Sequence, residues 1–144
     1  MKKIFFAICL ATFVSFSFLA QAGEYLAVIV HPSNSLRTIS KGKLAAIFRG
    51  EEKYWPDGKN ILLVNQSLGN SARKNFYQKV LKTSPATKYY IAGTMAPIRT
   101  VVQKSENAVM LFVSNMPQSI GYVSADLPDE SVKILLIDGE KVIP

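Results

Sequence analysis

Residues 61–82, ILLVNQSLGNSARKNFYQKVLK, carry the reading of the fold. Ile61 to Val64 is a short, unbroken apolar run, which suits a strand covered on both faces in a mainly parallel sheet. Asn65 to Asn70 is polar and contains Gly69, so it reads as a loop. From Ser71 to about Lys82, Phe76, Tyr77, Val80 and Leu81 share one face while Lys74, Gln78 and Lys82 lie opposite, the pattern of an amphipathic helix. The unit is strand, loop, helix.

The same grammar extends outward in both directions. Upstream, Tyr25 to Val30 (YLAVIV) is a second buried strand, and His31-Pro32-Ser33-Asn34-Ser35 is its loop. Ser40 is placed to cap a helix in which Leu44, Ile47 and Phe48 share a face and Gly50 sits just past the end. Trp55-Pro56-Asp57-Gly58 is turn chemistry. Downstream, Pro85 predicts a shorter helical stretch through Tyr89 and Tyr90, and residues 93–104 carry no clear pattern. Ser105 predicts a cap for a helix bearing Val109, Phe112, Val113 and Met116, closed by Pro117. Ile120 to Ser124 and Val132 to Ile137 are two final strands. Strands alternating with helices predict an α/β fold, one domain over residues 23–144, with a mixed, mainly parallel sheet flanked by helices.

Residues 1–22 stand outside that domain. Lys2 and Lys3 precede an apolar run from Ile4 to Leu19, and Ala20-Gln21-Ala22 has the small-x-small spacing of a signal-peptidase site. The expected product is exported, cleaved after Ala22, and periplasmic in a cell with an outer membrane. Cys9, the only cysteine, leaves with the leader, and His31 is the only histidine. Zinc sites built on Cys and His, disulfides and Cys–His nucleophilic catalysis are thereby excluded. No cofactor or metal is expected: Met95, Met110 and Met116 offer thioethers for copper, but Met110 and Met116 fall within or beside an apolar helix and read as packing residues. His31 has no carboxylate or serine partner visible in the sequence.

Charge is uneven. Fifteen basic residues face ten acidic ones over residues 23–144, and thirteen of the basic ones lie between Arg37 and Lys104 against Glu51, Glu52 and Asp57. A basic body attracts anions. The lysines and arginines form no dense block, so nucleic acid is not expected as a partner. Two strand-to-helix loops are the candidate site: Ser33 and Asn34 after the first strand, and Gly69, Asn70 and Ser71 after the second, with Arg73 one turn in. A helix start there offers free N–H groups and partial positive charge to a small oxyanion, and ligands of open α/β sheets gather at the carboxyl ends of strands. In this reading Ser33 and Asn34 face the Gly69 loop across the strand ends.

Several stretches, taken in order, resemble the phosphate-binding proteins of ABC transporters. They are Val30-x-Pro32-Ser33-Asn34-x-Leu36, Ser40-x3-Leu44-x2-Ile47-Phe48-x-Gly50, Trp55-Pro56-Asp57-Gly58, Gly69-x3-Arg73-x2-Phe76, and Ser119-Ile120-Gly121-Tyr122-Val123 with Asp138-Gly139 beyond. The resemblance implies a type 2 periplasmic binding fold, here a single lobe of a two-lobed parent. It departs at the anion loop, where the family's Gly-Ser-Gly-Thr reads Gly69-Asn70-Ser71-Ala72. The family's arginine ahead of the loop falls at Gln66, and its acidic residue at Leu68. Each charge-assisted bond to an anion contributes roughly 1.5–3 kcal/mol, so these losses imply weak binding. The expected function is a non-catalytic, exported domain that binds phosphate or another small oxyanion. The alternative is an interaction module docking on an envelope membrane sensor, transporter or porin. A small hydrolase is the third reading, without a visible base–nucleophile pair. The oligomeric state is not written in the sequence.

Overall fold

The computed structural model describes residues 25–144; the leader and its cleavage site lie outside the described residues. A six-stranded sheet runs in the order β2-β6-β1-β5-β3-β4. Its strands are β1 (Leu26–Val30), β2 (Thr38–Ile39), β3 (Leu62–Gln66), β4 (Thr100–Gln103), β5 (Ser119–Ser124) and β6 (Lys133–Ile137). The helices are α1 (Lys41–Phe48), α2 (Ser71–Phe76), which continues as a π-helical turn over Tyr77–Leu81, and α3 (Glu106–Asn115). The sheet is mixed: β2–β6, β3–β4 and β3–β5 pair in parallel, while β1 is antiparallel to both β5 and β6. One strand, β1, therefore runs against the other five.

Helices cover both faces, which is why every residue of β1 is buried. Leu26, Val28 and Val30 share a core with Leu44, Ile47, Phe48, Phe76 and Tyr77 from α1, α2 and the π turn. Ile29, pointing the other way by strand alternation, packs with Val64, Val109, Met110 and Val113 under α3. Local signals formed as the residues predict. Ser40 accepts from the Lys43 amide at 3.0 Å, and Ser105 accepts from the Ala108 amide at 3.1 Å, each satisfying a helix-start donor. Gly50 takes φ 77° just past α1, where only a residue without Cβ is comfortable.

Other expectations need correction. Asn65 and Gln66 belong to β3, because their backbones pair with Val102 and Gln103 of the edge strand β4. No helix follows Pro85. Ser84 accepts from the Thr87 amide at 3.0 Å to close one turn, and the chain then runs extended into a small hairpin, with Tyr90 bridging Pro97. The long helix from Ser71 changes register at Tyr77, and Lys82 ends it in the left-handed region at φ 56°.

Close approach of α3 to β5 depends on Gly121. A Cβ there would lie 2.9 Å from Val109 Cγ1 and 3.5 Å from Val113 Cγ2. Gly121→Ala is expected to cost about 1–3 kcal/mol, the usual cost of overpacking a tight core, read as a lowered urea midpoint with an unchanged slope.

Candidate functional site

β3 ends at Gln66, and the loop to α2 emerges at the sheet edge where β4 also ends. Ser67 donates its amide to Gln103 O at 3.0 Å, tying the two strand ends together. The loop then closes on itself, with the Asn70 amide donating to Ser67 O at 2.9 Å. Asn70 caps α2: its Oδ1 accepts from the Ala72 amide at 3.2 Å, and its carbonyl accepts from the Lys74 amide. Asn70 thus spends its side chain on the cap. The amides of Gly69, Ser71 and Arg73 have no partner among the described residues, and Gly69 and Ser71 are exposed. Gly69 has open space around it, with nothing within 4 Å of a Cβ built there.

Arg73 does not face this loop. Its Nε and Nη2 donate to Pro85 O at 2.9 and 2.7 Å, and Nη1 donates to Gln66 O at 2.9 Å. Its guanidinium lies 4.8 Å from the centroid of the Tyr77 ring. The planar fork is matched to two carbonyls at once, and that geometry is not one an ammonium reproduces. Arg73 is a strap that fastens the segment after the π turn to the end of β3.

Ser33 and Asn34 are not brought to the Gly69 loop. Because β1 runs against β3 and β5, Val30 pairs with Ile120, which in turn pairs with Leu63 near the start of β3. Gln66 lies three residues further on, roughly 10 Å along the strand at about 3.3 Å per residue. Ser33 and Asn34 instead line a pocket of about 130 Å³ with Trp55, Asp57, Lys59 and Gln118, at the opposite end of the strands. There Ser33 is bonded to His31, Oγ to Nδ1 at 2.7 Å, and Asn34 Oδ1 accepts from the Leu36 amide at 3.0 Å. The His31–Ser33 contact corrects the expectation that His31 has no serine partner: the two residues lie two apart in one turn. It is an exposed turn contact, with no carboxylate on the ring's other nitrogen among the described residues.

Beneath the Gly69 loop lies a polar chain that the residues alone do not reveal. The Tyr122 hydroxyl donates to Asn65 Oδ1, Asn65 Nδ2 donates to Tyr77 Oη at 2.8 Å, and the Gln66 amide donates to Asn65 Oδ1 at 2.9 Å. β3 and β5 stop pairing after Leu63–Ile120, and Gln66 Nε2 crosses the resulting gap to Tyr122 O at 2.8 Å. Gln66 Oε1 is buried without a partner. Glu106, the first residue of α3, supplies a carboxylate at the neighbouring strand end. It accepts from the Ser124 amide at 2.6 Å and the Ser124 hydroxyl at 2.8 Å. The one signal that could have pointed to this chain is a pair of amide side chains directly after an apolar run, which in the sequence reads as part of the loop. Its partners, Tyr77 and Tyr122, lie 12 and 57 residues away from Asn65.

With this geometry in place, the chain can be set beside solved proteins. No protein-family model matches it. An ABC-type phosphate transport receptor from Vibrio cholerae superposes with a TM-score of 0.68 at 19% identity, over 81% of this chain and 48% of the receptor. PstS from Borrelia burgdorferi gives 0.65 at 24% identity, over 83% of this chain and 50% of its own. A high-affinity periplasmic phosphate-binding protein, solved with phosphate, gives 0.55 at 20% identity over 73% and 32%. The chain has their fold. It spans about half the length of the receptors it matches, as a single lobe would. The matched proteins are binding proteins, and the likeness at these identities is one of fold.

Two outcomes follow from the side-chain geometry. Arg73→Lys, like Arg73→Ala, is expected to lower stability by about 1.5–3 kcal/mol, the range for bonds from a charged donor, and to speed limited proteolysis within residues 84–98. The second concerns pH. Burial of Tyr122 pushes its hydroxyl well above the ordinary value of 10.0, against a smaller opposing pull from the Gln66 backbone amide. The folded state thus holds the neutral phenol more tightly than the unfolded chain does. That stability is fully present below pH 10 and is lost as pH rises beyond it. Urea midpoints measured from pH 8 to 11 should fall for the native chain and fall less steeply for Tyr122→Phe.

Proposed function

We propose that this chain is an exported, non-catalytic binding domain that takes phosphate or a similar small oxyanion weakly at the Gly69–Ser71 loop, in the periplasm. The observation that carries the reading is the loop itself. Exposed amides at Gly69 and Ser71, unspent by the chain, lie at the carboxyl end of β3, and free N–H groups at a helix start favour an anion. The fold supports it, since the matched receptors are phosphate-transport proteins and one was solved with phosphate. The basic balance between Arg37 and Lys104 supports it as well.

Weakness follows from what the loop lacks. Arg73 is committed to two carbonyls, Asn70 to its own cap, and the position ahead of the loop is Gln66 rather than a cation. An anion there gains backbone bonds and a partial dipole, without a guanidinium clamp and with water on its outer side. Ser33 and Asn34, at the other end of the strands, take no part in this site.

Titration of ¹⁵N-labelled protein with sodium phosphate at low salt is the test. Saturable shifts at the Gly69 and Ser71 amides, with affinity in the millimolar range and lost on Ser71→Pro, are the expected result. Shifts spread evenly over surface lysines, without saturation, would remove the reading.

A further inference from the structure

A cavity of about 380 Å³ opens beside the polar chain, between β3, β4 and the segment that follows the π turn. That volume lies in the range of small-molecule sites, about 300–1,000 Å³. Its floor holds Asn65 and Tyr77, and its wall holds Tyr89 and Tyr90. The wall is built in advance. Arg73 fastens Pro85 as described, Ile98 donates its amide to Tyr89 O at 3.0 Å, and Ile91 donates to Ala96 O at 2.8 Å. Aromatic walls, a few convergent polar groups and a preformed shape are the marks of a ligand site.

The polar groups select the ligand. Tyr77 Oη accepts from Asn65 Nδ2, but its own proton has no acceptor among the described residues, so the buried chain ends in a donor at the cavity floor. Lys88 stands at the rim, exposed and without an ion partner among the described residues. None of the lining residues is acidic. Asn65 Oδ1 already accepts two hydrogen bonds, so the floor offers a donor and no free carbonyl or carboxylate side chain to the hydroxyl protons of a sugar. Arg73 also lines the cavity, but its donors to Pro85 and Gln66 are spent, so phosphate, as a compact dianion, would lose more hydration than one phenol and Lys88 restore.

The geometry points to a second binding site, separate from the Gly69 loop, for a flat ring-bearing monoanion such as an aromatic carboxylate. Its ring lies against Tyr89 and Tyr90, where offset or edge contacts between aromatic rings are favourable. Its carboxylate accepts from the Tyr77 hydroxyl and faces Lys88.

The test is calorimetric and NMR titration of the purified protein with sodium benzoate, compared with cyclohexanecarboxylate, glucose and phosphate. Benzoate is expected to bind saturably, shift the ring resonances of Tyr89 and Tyr90, and bind more tightly than cyclohexanecarboxylate. Tyr77→Phe should weaken it about tenfold, as loss of a donor to a charged group does. Lys88→Ala, at an exposed position that supports no part of the fold, should weaken it roughly two- to fivefold. The site is refuted by any of three results: no saturable benzoate binding at tens of millimolar, binding indifferent to Lys88→Ala in a folded variant, or displacement of benzoate by phosphate or glucose. Phosphate shifts confined to Gly69 and Ser71 would concern the other site and leave the benzoate results to decide this one.

Discussion

Tyr122 ties the aromatic core to the polar end of β3, and the rest of the candidate region is arranged around it. Its ring stacks on Phe76 with centroids 4.0 Å apart and planes 2° from parallel, while Phe48 meets both rings edge-on. That aromatic cluster fixes α1 and α2 on the sheet. The hydroxyl of the same residue reaches Asn65 at the end of β3, and Asn65 passes the contact on to Tyr77. A buried ring therefore ends in a satisfied polar tip, which is the condition under which tyrosine is tolerated in a core. Removing the ring would loosen the helices; removing only the hydroxyl would leave Asn65 short of a donor.

The π turn belongs to the same constraint. An inserted register shift after Phe76 lets Phe76 stack on Tyr122 and, one residue later, lets Tyr77 turn its hydroxyl to Asn65 and its face to Arg73. Such shifts are often found where a side chain must be re-aimed. The consequence for binding is a division of labour. Gly69 and Ser71 keep amides without a partner among the described residues at the surface, whereas the cation one turn in is drawn below to hold the chain together. Under the proposed function, a loop with amides and no clamp would hold an anion weakly.

The extent to which the sequence was readable varies with the range of the interaction. Ser40 and Ser105 were legible as caps because the donor each satisfies lies three residues away. The strand at Leu26–Val30 was legible because burial on both faces leaves an unbroken apolar run, and the strand at Lys133–Ile137 because four aliphatic residues follow one another although only Leu135 and Ile137 are fully buried. β4 was missed because TVVQ is an edge strand, half exposed, with no periodic contrast. The stretch after Pro85 was misread as helix, since proline suits a first helical turn. There, carbonyl bonds from Arg73 and the Tyr90–Pro97 bridge hold it extended.

The amino-acid order by itself determined the three helix starts, the strands at β1, β3, β5 and β6, and the polar, glycine-bearing break at the head of α2, because each depends on neighbours within about one helical turn or on a run of apolar residues. Tertiary structure decided the strand directions, and with them which loops share an edge. Residues 33–34 and 69–71 look equivalent on paper, yet the reversed β1 puts them at opposite ends of the sheet. It also decided that Arg73 is a strap and that Asn65, Tyr77 and Tyr122 form one chain. Hydrogen-bond partners 12 to 57 residues apart leave no local trace, since any polar residue at those positions obeys the same short-range rules.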